Sequence, residues 1–454
     1  MPVAAQSIYG GFSANIARRL LDGLLPINEK LHFNFRLWDG TVWGAGQPRF
    51  TVILKGPAAL RPLLLCPNEL SLGEAYIYGD IDIEGDIEAA CELGESSSAP
   101  KPAATLEKAA IRFLSSLAVG DRARVSRPLD KSGPAHSKSR DRQVIRYHYD
   151  LPVPFYALWL DERMVYSCAY FARPEDDIDT AQLRKLDYIC RKLRLRRGDY
   201  VLDIGCGWGG LVIHAATHYG AKVLGITLSV PQAEFARQRI HEAGLDQQCR
   251  VEVCDYRDLE PSLRFDKIVS VGMFEHVGKA LLPEYFNIAF QMLRPGGVFL
   301  NHGIACSATY RREGPSFSDR YVFPDGELVP ISTTLQAAEE AGFEVRDVES
   351  MREHYVLTAR CWVQRLEASA AEAIRLTDDT TYRIWRLYMA GAARRFQAGR
   401  FNLFQTLFVK SLDGKSRLPL TRQGWYDDDF RFRDGGSLFE PDISVVSCTS
   451  ARAP

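Results

Sequence analysis

The segment YVLDIGCGWGG (Tyr200 to Gly210) constrains this chain more than any other. It reads as an apolar strand that ends in closely spaced glycines, followed by a helical pattern running to Tyr219. Glycines at a strand end let the backbone turn tightly and approach a ligand, and the following helix N-terminus offers free N–H groups. AKVLGIT then reads as a second strand, and PQAEFARQRIHEAG as a helix opened by Pro231. RVEVCD, FDKIVSVGMF and GGVFLNHGI supply further strands with helical segments between them. Strands alternating with helices are joined by crossovers, so the pattern predicts an α/β fold whose mostly parallel sheet is covered on both faces. It runs from residue 146 to about 410.

At 454 residues the chain is too long for a single domain of ordinary size. Residues 1–120 contain short alternating runs (FNFRLWDGTVWG, FTVILKG, GEAYIYGDIDIEGD) and read as a smaller α+β domain. Residues 121–145 are basic and poor in large apolar side chains, as in an interdomain linker. Residues 411–454 form a C-terminal tail with little pattern beyond Trp425 and Tyr426. A net charge of -1 gives no global attraction to nucleic acid. Ten cysteines occur as singles with no C-x-x-C pair, so no metal site is expected and reduced thiols are the better reading. No stretch approaches the roughly 18 apolar residues of a membrane span, and the N-terminus lacks a charged, apolar leader pattern. The expectation is a cytoplasmic protein, or one resting on a membrane surface.

GCGWGG satisfies G-x-G-x-x-G, which alone is a weak signal. A dinucleotide site would place an acid about 20 residues on, at the end of the second strand. That strand ends in Thr227-Leu228-Ser229. Asp203, two residues before Gly205, instead fits the D-x-G-x-G form typical of S-adenosylmethionine enzymes, with a plain cap for the turn as the lesser alternative.

Several ordered segments carry a more specific likeness: YHYDLP (from Tyr147), MVYSCAYF (from Met164), VLDIGCGWGG, GITLSVPQ (from Gly225), FEHVG (from Phe274), HGI (from His302) and HYVLTARCW (from His354). Over roughly 140–410 the chain resembles the cyclopropane-fatty-acyl-phospholipid synthases and their relatives, the mycolic acid cyclopropane synthases. The resemblance implies a Rossmann-like methyltransferase domain with a mostly parallel seven-stranded sheet. It implies S-adenosylmethionine bound by Tyr166, Ser167, Asp203, Gly205, Gly207, Thr227, Leu228 and Gln232, with Asp255, Tyr256 and Arg257 bordering the adenine. Such proteins often have Trp-Glu where this chain has Tyr256-Arg257. It implies a bicarbonate ion held by Cys168, Glu275, His302, Ile304 and Tyr355. It also implies an unsaturated phospholipid substrate, peripheral contact with the inner face of the cell membrane, and a homodimer.

The chemistry is coherent with these residue types. An alkene is a weak nucleophile, so its methyl donor must be a strong electrophile such as a sulfonium. Transfer leaves a carbocation, and ring closure needs a base beside it in a site that excludes water. Aromatic faces, dense in YHYDLPVPFYALW and YSCAYF, stabilise cations by about 0.5–2 kcal/mol each. Taken singly, Cys168 reads as a buried small hydrophobe, Glu275 as a helix cap, and His302 as a core histidine; the ordered set is what points to a site. A methylene or methyl branch is the alternative product, and a non-catalytic lipid-binding protein the alternative class. For membrane contact the candidates are the basic linker and WRLYMAGAARRFQAGRFNLFQTLFVK, read as a basic amphipathic helix or as one packed on the core. The segment from Thr309 to Pro330 is long for a loop and reads as a substrate lid.

Overall fold

The computed structural model describes residues 14–22, 32–64, 68–95, 133–311 and 316–426. Residues 121–132 of the basic linker, residues 312–315 of the expected lid segment, and the tail beyond 426 lie outside the described residues. The chain divides into two compact units.

The smaller unit takes in the N-terminal region together with Arg312–Val322 and Ala370–Arg394. Its sheet has the order β2-β1-β3-β4, from β1 (Phe33–Arg36), β2 (Val42–Gly44), β3 (Phe50–Leu54) and β4 (Ile81–Gly85). Alternation buries Phe33 and Phe35 on one face of β1, where they join Phe50, Trp43 and Leu54 in a single core. Part of the expected lid segment is the short helix Phe317–Tyr321, which belongs to this unit: Phe317 N–H donates to Glu69 and the Tyr321 hydroxyl to Glu74.

The larger unit holds a seven-stranded sheet of order β10-β11-β9-β8-β5-β6-β7. β5 (Tyr200–Ile204), β6 (Lys222–Thr227), β7 (Cys249–Val253), β8 (Phe265–Val271) and β9 (Leu293–Cys306) are parallel neighbours. β11 (Phe401–Val409) inserts antiparallel between β9 and β10 (Glu344–Ser350). Every residue of β5 is buried, as expected of a central parallel strand covered on both faces. Two apolar clusters, one on each face, pack the helices against it. Trp425 from the expected tail is buried in the first of these.

The segment WRLYMAGAARRFQAGRFNLFQTLFVK, expected as one amphipathic helix, is instead a helix followed by a strand. Helix Asp379–Gln397 ends in a Schellman motif, with Gly399 at φ +69, Gly399 N–H donating to Phe396 O and Arg400 N–H to Arg395 O. The chain then becomes β11, where Phe408 is fully buried. Two-residue alternation in FNLFQTLFV outweighed the basic charges around it. Likewise, Lys138–Tyr149, at the end of the basic stretch, is a helix with Val144 and Ile145 buried.

Candidate active site

The strand order reverses at β5, whose neighbours β6 and β8 lead to opposite halves of the sheet, and the carboxyl ends of such strands open a crevice. A cavity lies there, lined by the ends of β5, β6 and β8. Gly205 takes φ +85 while its N–H donates to Ile226 O at 2.9 Å; a Cβ there would stand 2.7 Å from Met273 Cβ. Gly207 adopts φ +55 over open space. The loop therefore presents bare backbone to the cavity, which is what close approach of a ligand needs.

Every residue predicted to hold the methyl donor lines this cavity: Tyr166, Ser167, Asp203, Gly205, Gly207, Thr227, Leu228, Gln232, Asp255, Tyr256 and Arg257. At the end of β6, the Thr227 hydroxyl donates to Gln232 Oε1 at 2.8 Å, so a neutral pair stands where a dinucleotide site would carry an acid. Asp255 is claimed by its neighbour, accepting from Arg257 N at 3.0 Å, Nε at 2.8 Å and Nη2 at 2.6 Å. Arg257 also donates to Asp141 at 2.7 Å and to His136 O at 3.0 Å, and these carboxylates hold its own pKa up. The guanidinium thus folds back into the wall around Tyr256, itself buried edge-on against Tyr285.

Asp203 is buried at 2% exposure, and burial pushes its carboxyl up to about 7 against the opposing pull of Lys185. Lys185 is equally buried, donates to Ser167 Oγ at 2.8 Å, and is lowered to about 8 by desolvation despite Asp161, Cys168 and Asp203. Sequence reading missed Lys185. The available signal was its place on the inward stripe of helix Ile178–Leu193, alongside Gln182, Leu186 and Ile189. It also missed Tyr149, Met164, Trp208, Met273 and His276, all lining residues. Tyr149 lies 6.2 Å from Tyr166 and 6.4 Å from Trp208, and Tyr166 lies 5.2 Å from Trp362, so aromatic rings wall the cavity.

None of the predicted anion ligands lines that cavity, yet three of them adjoin it through the chain or backbone. Cys168 follows Ser167, Glu275 precedes His276, and His302 O accepts from Gly272 N–H at 2.9 Å. Glu275 Oε1 accepts from Ile304 N–H at 2.7 Å, which brings Glu275 to the strand that carries His302. Ile304 N–H is thereby committed to holding the carboxylate. Cys168 and Tyr355 meet at a single backbone atom: Met351 O accepts from Tyr355 N–H and lies 3.9 Å from Cys168 Sγ. Met351 N–H in turn donates to Leu403 O, and Leu403 pairs with Ile304 across β9 and β11. One backbone path therefore joins all the predicted anion ligands.

Burial raises the Glu275 carboxyl to about 7, opposed by the Ile304 N–H, and leaves Oε2 sealed from solvent with no hydrogen-bond partner among the described residues. His302 is fully buried, and desolvation followed by Lys185, Lys192 and His354 drives its pKa well below the ordinary histidine range. Its Nδ1 lies 3.1 Å from Gln405 Nε2, while its own Nε2 has no partner among the described residues. Cys168 is fully buried and its thiol is pushed far up by desolvation, so it remains an S–H. Among the described residues no His, Cys, Asp and Glu group is arranged to hold a metal ion, and no helix is long and apolar enough to cross a membrane.

Comparison with known proteins places this geometry in context. Residues 136–406 match the family described as mycolic acid cyclopropane synthetase, and residues 21–98 match a domain of unknown function (DUF7884). A Pseudomonas putida protein described as a probable fatty acid methyltransferase is 43% identical over 90% of this chain and 100% of its own length. The Escherichia coli cyclopropane-fatty-acyl-phospholipid synthase is 36% identical over 62% of this chain and 72% of that one. Among solved structures, the Mycobacterium tuberculosis cyclopropane synthase MmaA2 matches at 30% identity with a TM-score of 0.57, covering 59% of this chain and 97% of that one. Mycolic acid cyclopropane synthase CmaA1, complexed with SAH and CTAB, matches at 32% identity with a TM-score of 0.56, over 59% and 97%.

Proposed function

From the premise that this chain belongs to the mycolic acid cyclopropane synthetase family and is an S-adenosylmethionine-dependent methyltransferase, we propose that it adds a methylene group across the cis double bond of an unsaturated phospholipid acyl chain, forming a cyclopropane ring. S-adenosylmethionine, when bound, supplies an electrophilic methyl on sulfur. The glycine turn at Gly205 and Gly207 gives it backbone contact, Asp203 and the Thr227–Gln232 pair offer polar partners, and Tyr149, Tyr166 and Trp208 present faces to a cation.

The alkene takes the methyl, a carbocation forms on the chain, and loss of a proton from the new methyl closes the ring. What supports a bound bicarbonate is the pair of buried atoms without partners, Glu275 Oε2 and His302 Nε2, on groups that Ile304 and β9 hold together. A small oxyanion carrying both an O–H and acceptor oxygens matches a carboxylate and a ring nitrogen; held by Glu275, His302, Cys168 and Tyr355, it would supply the proton acceptor. Desolvation there serves to keep water from capturing the cation. A phospholipid substrate requires peripheral contact with the inner face of the cell membrane, since the acyl chain must leave the bilayer.

A branched product is the second reading, favoured by the relatives described as fatty acid methyltransferases. The test is incubation with methyl-labelled donor and unsaturated phospholipid vesicles. Label should enter lipid with the parent chain and fall by about 10²-fold or more with Glu275→Gln, as for loss of a group active in proton transfer. Equal labelling by both proteins would overturn the assignment of Glu275.

A further inference from the structure

His302 and Gln405 face each other directly across the β9–β11 pair, and Val271 of β8 pairs with His302 on the other side. Both side chains are fully buried. Burial and the nearby cations Lys185 and Lys192, with His354 beside them, keep the imidazole neutral. A neutral imidazole has one nitrogen that donates and one that accepts, and the partner of one decides the state of the other.

For His302 that partner is Gln405. Gln405 Nε2 can only donate, and it lies 3.1 Å from His302 Nδ1. Nδ1 must then accept, and the proton must sit on Nε2. The opposite amide orientation would leave the Gln405 NH2 in the buried position that Oε1 now occupies without a partner. That reverse orientation would put the ring proton on Nδ1 instead, and the tautomer measurement below separates the two. In the orientation described, His302 Nε2–H is a buried donor with no protein acceptor among the described residues. An orphan donor of that kind is costly unless something with a lone pair meets it.

We propose that Gln405 is a positioning residue that fixes His302 in the Nε2–H tautomer, so that the ring donates a hydrogen bond to an oxyanion in the proton-accepting site. This rests on the reading of that site given above, and adds what selects an anion: a fixed donor in place of a titrating base. Glu349 pairs with Gln405 on the far side from His302, and it is engaged by Lys192 at 2.5 Å and by Tyr188 at 2.9 Å.

The test is nitrogen NMR of the full-length protein labelled at histidine, with the His302 signals identified by their loss in His302→Asn. The parent should show Nε2–H and an unprotonated Nδ1. In Gln405→Glu the carboxylate should draw the proton to Nδ1. Ring formation should then fall by about 10–100-fold in kcat, as for other orienting partners, with KM for the methyl donor unchanged. Gln405→Leu should populate both tautomers and fall less. Calorimetric binding of S-adenosylhomocysteine certifies that each variant is folded. An Nδ1–H tautomer in the parent, or a folded Gln405→Glu protein with an unchanged tautomer, would overturn the proposal. The tautomer readout needs no lipid, so a parent that shows Nε2–H but never labels lipid would refute the proposed function and leave the positioning role standing.

Discussion

Replacing Glu275 with glutamine should make the folded protein less sensitive to rising pH even as it removes activity. Burial raises the Glu275 carboxyl from 4.5 to about 7. The folded state therefore binds this proton more tightly than the unfolded chain does. Its contribution favours folding below pH 4.5 and is lost progressively as pH rises from about 4.5 to about 7. At 1.36 kcal/mol per pH unit, that is roughly 2–3 kcal/mol between pH of about 5 and about 8. Glutamine keeps an oxygen for the Ile304 N–H at 2.7 Å and carries no charge. Any cost from its buried NH2 is independent of pH and cancels in the comparison. Urea unfolding of parent and variant at both pH values, in bicarbonate-free buffer, gives the double difference. The parent should lose roughly 2–3 kcal/mol more than Glu275→Gln on going to the higher pH. Parallel pH dependence would refute the claim that this carboxylate is held in a desolvated site.

Gly205→Ala should abolish donor binding in calorimetry, because the residue sits at φ +85 and its new methyl would stand 2.7 Å from Met273; a folded variant with parental affinity would remove the glycine turn from the site. Asp203, raised to about 7 by burial and held down by Lys185, should make S-adenosylhomocysteine affinity rise as pH passes through about 7. Lys185→Met should move that inflection upward, since the opposing charge is gone. Cys168, fully buried and with its thiol pushed far up, should resist iodoacetamide at pH of about 8 until the protein is unfolded.

The parallel core of the fold was legible because its strands are continuous apolar runs punctuated by glycine, and each one from β5 to β9 lies where that pattern put it. β11 was not. Arg394, Arg395 and Arg400 among phenylalanines suggested one amphipathic helix, and only the break at Gly399 separates helix from strand. The residues expected at the donor meet as the lining of one cavity, since they cluster at strand ends close to the glycine loop. Lys185 and Gln405 were hidden for a common reason. Lys185 lies on the buried stripe of a charged helix and Gln405 within an apolar strand, and the significance of each comes from partners on other segments: Ser167 and Asp161 for the one, His302 for the other. Arg257 shows a further limit. Motif order brings it to the cavity lining, but only the structure shows its guanidinium tied to Asp255 and Asp141.

The central claim is that a carbocation formed on an acyl chain loses its proton from the newly arrived methyl to close a ring. Trideuteromethyl donor supplied with monounsaturated phospholipid vesicles tests it most directly, with the lipid product weighed by mass spectrometry before and after catalytic hydrogenation. The expected product carries the new carbon with one deuterium lost and does not take up hydrogen under conditions that reduce an alkene. A product that keeps all the deuterium, or that is reduced as a methylene branch would be, contradicts ring formation.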